Sequence, residues 1–245
     1  RKDRYLFIFA LLLKYYIMTG STKNTNYLLG SSIGRKFLMG LTGLFLVTFL
    51  LVHCFINSMV FFDASGALFN EYGHFMGTNI IIRIMEVGLF GGLLAHIIDG
   101  LWLWKLNNDA RPEKYAYSQP NANSKWYSRS MGLLGTSLLI FLILHLAHFW
   151  VPSRITGLAE SAVPGVHDLY GEMFTVFANP IVVAIYVLAQ FSLGFHLLHG
   201  FQSAFQSLGL SHTKYNALIK TVGAGFALLI PFIFALMPIV IYLRH

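Results

Sequence analysis

Residues 36–62 read KFLMGLTGLFLVTFLLVHCFINSMVFF, and Lys36 is the only Lys, Arg, Asp or Glu among them. A run of this length crosses a ~30 Å hydrocarbon layer as a helix. Its apolar residues follow one another instead of alternating with polar ones, which argues against a membrane β-barrel. Four further stretches have the same character: roughly 79–106, 128–151, 175–207 and 215–243. The last contains Pro231 and Pro238 and is expected to be kinked, which bilayer helices tolerate. The whole chain of 245 residues is 56% hydrophobic and only 11% charged, against about 25% charged in a typical soluble domain. That balance excludes an ordinary soluble enzyme and a disordered chain. The expected fold is an all-α membrane protein with five transmembrane helices. The single cysteine, Cys54, makes no internal disulfide and holds no cluster by itself.

Lys and Arg predict the orientation. The stretch before and entering the first span carries Arg1, Lys2, Arg4, Lys14, Lys23, Arg35 and Lys36; the second connection carries Lys105, Arg111, Lys114, Lys125 and Arg129; the fourth carries Lys214 and Lys220. These are fourteen of the seventeen basic residues, all on one side, and that side is expected to be the cytoplasm. Arg83, Arg154 and Arg244 fall on the other side, with Asp63, Glu71, Glu160, Asp168 and Glu172. The N-terminus is therefore expected inside. Topology accounts for the net charge of +7, and no nucleic-acid partner is needed. Residues 1–35 read as an N-terminal tail and 36–243 as the five-helix domain. Tyr5 to Ile17 is apolar but too short to span, no signal-peptide cleavage site follows it, and Met18 is expected to start the native chain.

The first span holds Met39-Gly40-Leu41-Thr42-Gly43 and then His53; the third holds Met131-Gly132-Leu133-Leu134-Gly135 and then His145, 92 residues on. The second span holds His96 with Gly100, and the fourth His196 with Gly200, 100 residues on. Two hairpins thus repeat in parallel, as in membrane folds with a pseudo-twofold along the bilayer normal. At 1.5 Å per residue, His53 and His145 lie about 26 and 24 Å from the inner ends of their spans, and His96 and His196 about 15 and 17 Å. Two levels result, each with one histidine from each half. Facing imidazoles at one depth, twice, are the donor set of two bis-histidine haems. The first four helices are then a haem-binding four-helix bundle. Gly43 and Gly135 fall near the inner level, and Gly88, Gly91 and Gly92 near the outer one, where small residues leave room for a flat group. Helix–helix contact is the other use of such glycines.

His148 and His199 lie one turn from the chosen ligands, but the repeat register selects His145 and His196. His148 and His199 are expected to bond haem propionates or water. His167, His212 and His245 read as solvated. Arg83 and Glu86 are spaced for an i,i+3 ion pair. Asp99 sits near the inner level, with structural and proton-transfer roles both open. Trp102, Trp104, Trp126, Tyr127 and Trp150 read as interfacial anchors. No phosphate loop, nucleophile elbow or Cys-based metal motif is present, so the chain reads as an electron conductor. A transporter, which also uses parallel repeats, and a haem-free anchor remain open alternatives.

Thr42-Gly43-Leu44-Phe45-Leu46 leading to His53, Leu94-Ala95-His96, and Phe195-His196 followed by Gly200 resemble the di-haem cytochrome b anchor of succinate dehydrogenase and fumarate reductase (complex II), the type with one five-helix polypeptide. The resemblance covers about residues 31–243, and Phe69-Asn70-Glu71-Tyr72-Gly73-His74-Phe75-Met76 resembles the outer connection of its succinate dehydrogenase members. It implies two b haems, on His53 with His145 and on His96 with His196, with no ligand from the fifth helix. It implies a flavoprotein (FAD) subunit and an iron–sulfur subunit docked on the cytoplasmic face of a bacterial inner membrane, and a quinone, usually menaquinone, near the outer haem. Glu71 and His74 are the candidate quinone or proton-exchange residues, and the basic second connection is the candidate platform for the iron–sulfur subunit. Some fumarate reductase members carry a Glu where this chain has Gly194, which favours the succinate-oxidising direction here. Cytochrome b anchors of other dehydrogenases, such as hydrogenase or formate dehydrogenase, are further redox readings.

Overall fold

The structure is a computed structural model, described for residues 31–109 and 124–245. The expectation that the chain starts at Met18, and the basic residues Arg1, Lys2, Arg4, Lys14, Lys23, Arg111 and Lys114, lie outside the described residues. Among the described residues every regular element is a helix, with one isolated β-bridge between Glu160 and His167. Five helices among the described residues are long and apolar enough to cross a membrane: Ser32–Phe62, Ile80–Asp109, Met131–Thr156, Pro180–Ser207 and Thr213–Leu243.

The first span is α1 (Ser32–Asn57) followed, after Ser58, by the single turn α2 (Met59–Phe62). Ser31 Oγ accepts from Gly34 N–H at its start, satisfying one of the free donors of a helix N-terminus. With outer denoting the end of the bundle that the Lys and Arg pattern predicts to face away from the cytoplasm, a short outer helix, α3 (Ala67–Thr78), leads into the second span, α4 (Ile80–Asp109). The turn α5 (Trp126–Arg129) precedes α6 (Met131–His145), and the third span then continues as two π-helical turns, Leu146–Trp150 and Pro152–Thr156. A second short outer helix, α7 (Leu169–Phe177), leads into α8 (Pro180–Ser207), and α9 (Thr213–Leu243) is the fifth span.

The repeat extends further than the histidines. Asn79 and Asn179, 100 residues apart, cap the second and fourth spans: Asn79 Oδ1 accepts from Ile81 N–H at 3.0 Å, and Asn179 Oδ1 from Ile181 N–H at 2.9 Å. Each follows a short outer helix. The apolar stretch 175–207 is therefore two helices. Its break falls where an Asn cap meets Pro180, a residue suited to the first helical position because its missing N–H is not needed there.

Packing is uneven. One buried cluster sits at the outer end, where Met59, Val60, Phe69, Tyr170, Met173, Phe177, Tyr186, Met237 and Ile241 close around one another, and Leu197, Phe201, Ala204, Ala227 and Ile230 are buried further in along the fourth and fifth spans. Polar ties bind the outer cluster. Asn70 donates from Nδ2 to Asp168 Oδ1 at 2.9 Å and accepts from Tyr170 N–H at 2.9 Å. Arg244 Nη1 donates to Val60 O at 2.7 Å and to Tyr170 Oη at 3.0 Å. The fifth span seats against the fourth through Gly194 and Gly223. A Cβ at Gly223 would lie 2.6 Å from the Phe201 ring, and one at Gly194 would lie 3.2 Å from Ala227 O. Ala227 is four residues before Pro231, so its carbonyl has lost its usual helical donor. Gly194 brings the fourth span close to that carbonyl.

The second span is the opposite case. None of its most apolar window is buried, against 33% for the fifth span. Ile81, Ile84, Met85 and Val87 are exposed on it, an apolar surface that needs lipid or another apolar partner.

Candidate functional site

The four repeat histidines come together as two pairs. His53 on α1 faces His145 on α6, ring centres 5.9 Å apart and planes crossing at 88°. His96 on α4 faces His196 on α8, ring centres 6.2 Å apart and planes at 67°. Each pair joins one helix from each half of the repeat. Two opposed imidazoles bonded to one ion at about 2.0–2.1 Å each hold their ring centres about 6.4 Å apart. Both pairs are within about half an ångström of that spacing.

The glycines sit where the repeat requires. A Cβ on Gly43 would meet His96 Cε1 at 3.6 Å, and one on Gly135 would meet His196 Cε1 at 3.8 Å. Gly43 and Gly135 thus flank the inner pair from the first and third spans. Their partners three residues earlier are packing positions. Gly40 approaches Ala204 O of the fourth span, and Gly132 approaches the indole of Trp104 on the second. Gly88 and Gly91 border open space, whereas Gly92 packs against the Phe45 ring.

The hydrogen bonds of the paired rings involve Nδ1 and leave Nε2 for another use. Thr42 Oγ1 lies 3.1 Å from His96 Nδ1. Asn57 Nδ2 lies 3.3 Å from His53 Nδ1 while donating to His53 O at 2.8 Å. His145 Nδ1 and His196 Nδ1 are buried with no hydrogen-bond partner. Aromatic rings wall the outer pair: Phe49 and Phe234 lie against His53, and Phe141, Phe149 and Tyr186 against His145.

The number and type of donors in each pair, two neutral nitrogen ligands and no more, are those an iron held in a macrocycle takes on its two free sides. Among the described residues no group of three or more His, Cys, Asp or Glu could hold an ion alone. One adjustment is needed at the outer pair. Asn57 presents a donor to His53 Nδ1, so ligation through Nε2 requires its amide to turn and present Oδ1.

The neighbouring histidines have partners of their own. His148 Nδ1 is 3.0 Å from Tyr186 Oη with the rings stacked, and His199 Nδ1 is 2.8 Å from Ser128 Oγ. Among the candidate quinone residues, Glu71 is exposed and His74 half-buried on α3. Neither makes a hydrogen bond or ring contact with the outer histidines. Asp99 is only 3% exposed. On the inner side, Lys125 stands over the Tyr127 ring at 5.7 Å, and Arg129 bonds Ser124 O.

Glu86 does more than its spacing to Arg83 predicts. The ion pair with Arg83 is present, and Glu86 Oε1 also accepts from Trp150 Nε1 at 2.8 Å and lies 3.5 Å from Arg154 Nε. Trp150 is thus a tie between the second and third spans, where the sequence suggests a headgroup anchor. The π-helical turns after His145 carry Trp150 and Arg154, and such insertions turn the helix surface out of α-helical register. Nothing in the spacing of the sequence points to this tie. Thr42 and Asn57 had a readable signal: each differs from its counterpart 92 residues on, Leu134 and Phe149.

Comparison with protein-family models, with curated proteins and with solved structures finds no match.

Proposed function

We propose that this chain is the di-haem cytochrome b membrane anchor of a succinate:quinone oxidoreductase. The observation that carries the reading is the pair of facing imidazole pairs, 5.9 and 6.2 Å between ring centres, drawn from the two halves of one repeat. His53 with His145 would hold the outer haem b, and His96 with His196 the inner one. When bound, the two haems supply one-electron chemistry in series across the bilayer. The protein contributes axial nitrogens, their orientation and a water-poor aromatic surround, which tune haem potentials.

The succinate chemistry belongs to a flavoprotein (FAD) subunit and an iron–sulfur subunit docked on the cytoplasmic face. Lys105, Lys125 and Arg129 lie at the inner ends of the second and third spans and are the described part of the docking platform; Arg111 and Lys114 complete it in sequence. Menaquinone, or another quinone, would bind at the outer end, with Glu71 and His74 as candidate contacts. The chain would sit in a bacterial cytoplasmic membrane with its N-terminus inside. An anchor of quinol:fumarate reductase shares all these features. The position of a family Glu is held here by Gly194, which is committed to packing on Ala227 and Pro231, and this favours succinate oxidation.

The test is purification of the chain from its native membrane by a terminal tag. Co-purified flavoprotein and iron–sulfur subunits, with b-type absorbance reduced by succinate, support the reading. A coloured chain with a different catalytic partner would assign it to another dehydrogenase. A colourless chain without these partners would leave the transporter reading.

A further inference from the structure

The two halves of the repeat differ at one property of the histidines. Thr42 has one hydroxyl proton, and Leu38 O lies 2.9 Å away to receive it. The hydroxyl oxygen is then an acceptor toward His96 Nδ1, 3.1 Å away. That bond fixes the proton of His96 on Nδ1 and leaves Nε2 bare, the tautomer a metal ligand requires. In the other half, Gly135 meets His196 Cε1 as Gly43 meets His96 Cε1, so Leu134 occupies the place of Thr42. Leu134 is apolar, and His196 Nδ1 is buried without a partner. At the outer pair His145 Nδ1 is likewise buried without a partner, and His53 gains an acceptor only when the Asn57 amide turns to present Oδ1.

We infer that Thr42 is a positioning residue that sets the tautomer and donor strength of His96 and thereby lowers the midpoint potential of the inner haem. The inference rests on the di-haem reading. An imidazole whose N–H is hydrogen-bonded to an acceptor is a more basic ligand, and a more basic ligand favours the ferric state. The repeat makes one inner ligand strengthened and its partner unassisted.

The experiment is a spectroelectrochemical redox titration of the purified complex with a pyridine haemochrome count. His53→Ala supplies the background that keeps only the inner pair. Thr42→Val should raise the inner potential by a three- to tenfold change in the ferric/ferrous ratio, a tenfold change being about 59 mV for one electron. Thr42→Ser should restore the parent value, and Leu134→Thr, which offers His196 the same acceptor, should lower it. Unchanged potentials in Thr42→Val with haem retained would overturn the inference and leave the di-haem reading standing, as would a Thr42→Ser shift equal to that of Thr42→Val. If Thr42→Val loses the inner haem, Leu134→Thr decides alone: a lowered potential supports the inference and an unchanged one overturns it. Absence of haem from the parent protein would instead defeat the reading beneath it.

Discussion

His53 and His145 lie 92 residues apart in sequence, yet their rings face each other at 5.9 Å between centres with planes crossing at 88°. His96 and His196 repeat the relationship one level further in. If each pair holds one haem, the pairs should fail separately. His53→Ala or His145→Ala is expected to lower the haem count from two to one and to leave the inner haem in place. His96→Ala or His196→Ala should do the reverse. The pyridine haemochrome assay gives the count, and redox titration identifies which haem remains.

Gly43 offers a graded steric test. A methyl group there would rest in ordinary contact on His96 Cε1, 3.6 Å away, so Gly43→Ala should keep both haems. A larger side chain must enter the space beside the ring. Gly43→Leu is expected to lose the inner haem while the outer haem and the helical circular dichroism persist. The same pair of substitutions at Gly135, where the contact is 3.8 Å to His196, should give the same result.

Much of this site was legible in the chain because helical rise is regular. Ten residues separate Gly43 from His53, and ten separate Gly135 from His145; counting them at about 1.5 Å each puts the glycines at the inner level. What was not legible depends on long-range or irregular geometry. The Asn70–Asp168 bond joins residues 98 apart with no periodic signal. Glu86 meets Trp150 and Arg154 through π-helical turns, which break the period on which such counting relies. The division between α7 and α8 was written in Asn179-Pro180 but masked by apolar residues on both sides.

Asn70 is expected to matter for stability. It is 5% exposed, and its side chain satisfies both Asp168 Oδ1 and Tyr170 N–H. Asn70→Ala leaves a buried N–H without an acceptor, which costs about 1–3 kcal/mol. Thermal unfolding in detergent should show a lowered Tm, with the haem count unchanged at temperatures below the transition.

Asp63 should make the outer connection acid-sensitive. Its carboxyl lies beyond the first span and is held below the usual carboxylate range by the Leu68 N–H first, then by the Ser65 hydroxyl and the Ser65 N–H. A depressed folded-state pKa stabilises the fold above the unfolded value near 3.8, and that support is lost as pH falls through the lower folded value. Asp63→Asn should weaken the fold at neutral pH and flatten the acid limb of its stability curve. Tm measured from pH 7 down to pH 3 in both proteins checks the sign.

The central claim is that two haems occupy the two histidine pairs. The measurement that bears on it most directly is a dithionite-reduced minus oxidised spectrum of the purified protein, with haem counted per chain by pyridine haemochrome. The account predicts a b-type spectrum and two haems per chain. A chain purified intact from its native membrane with no Soret band would contradict it.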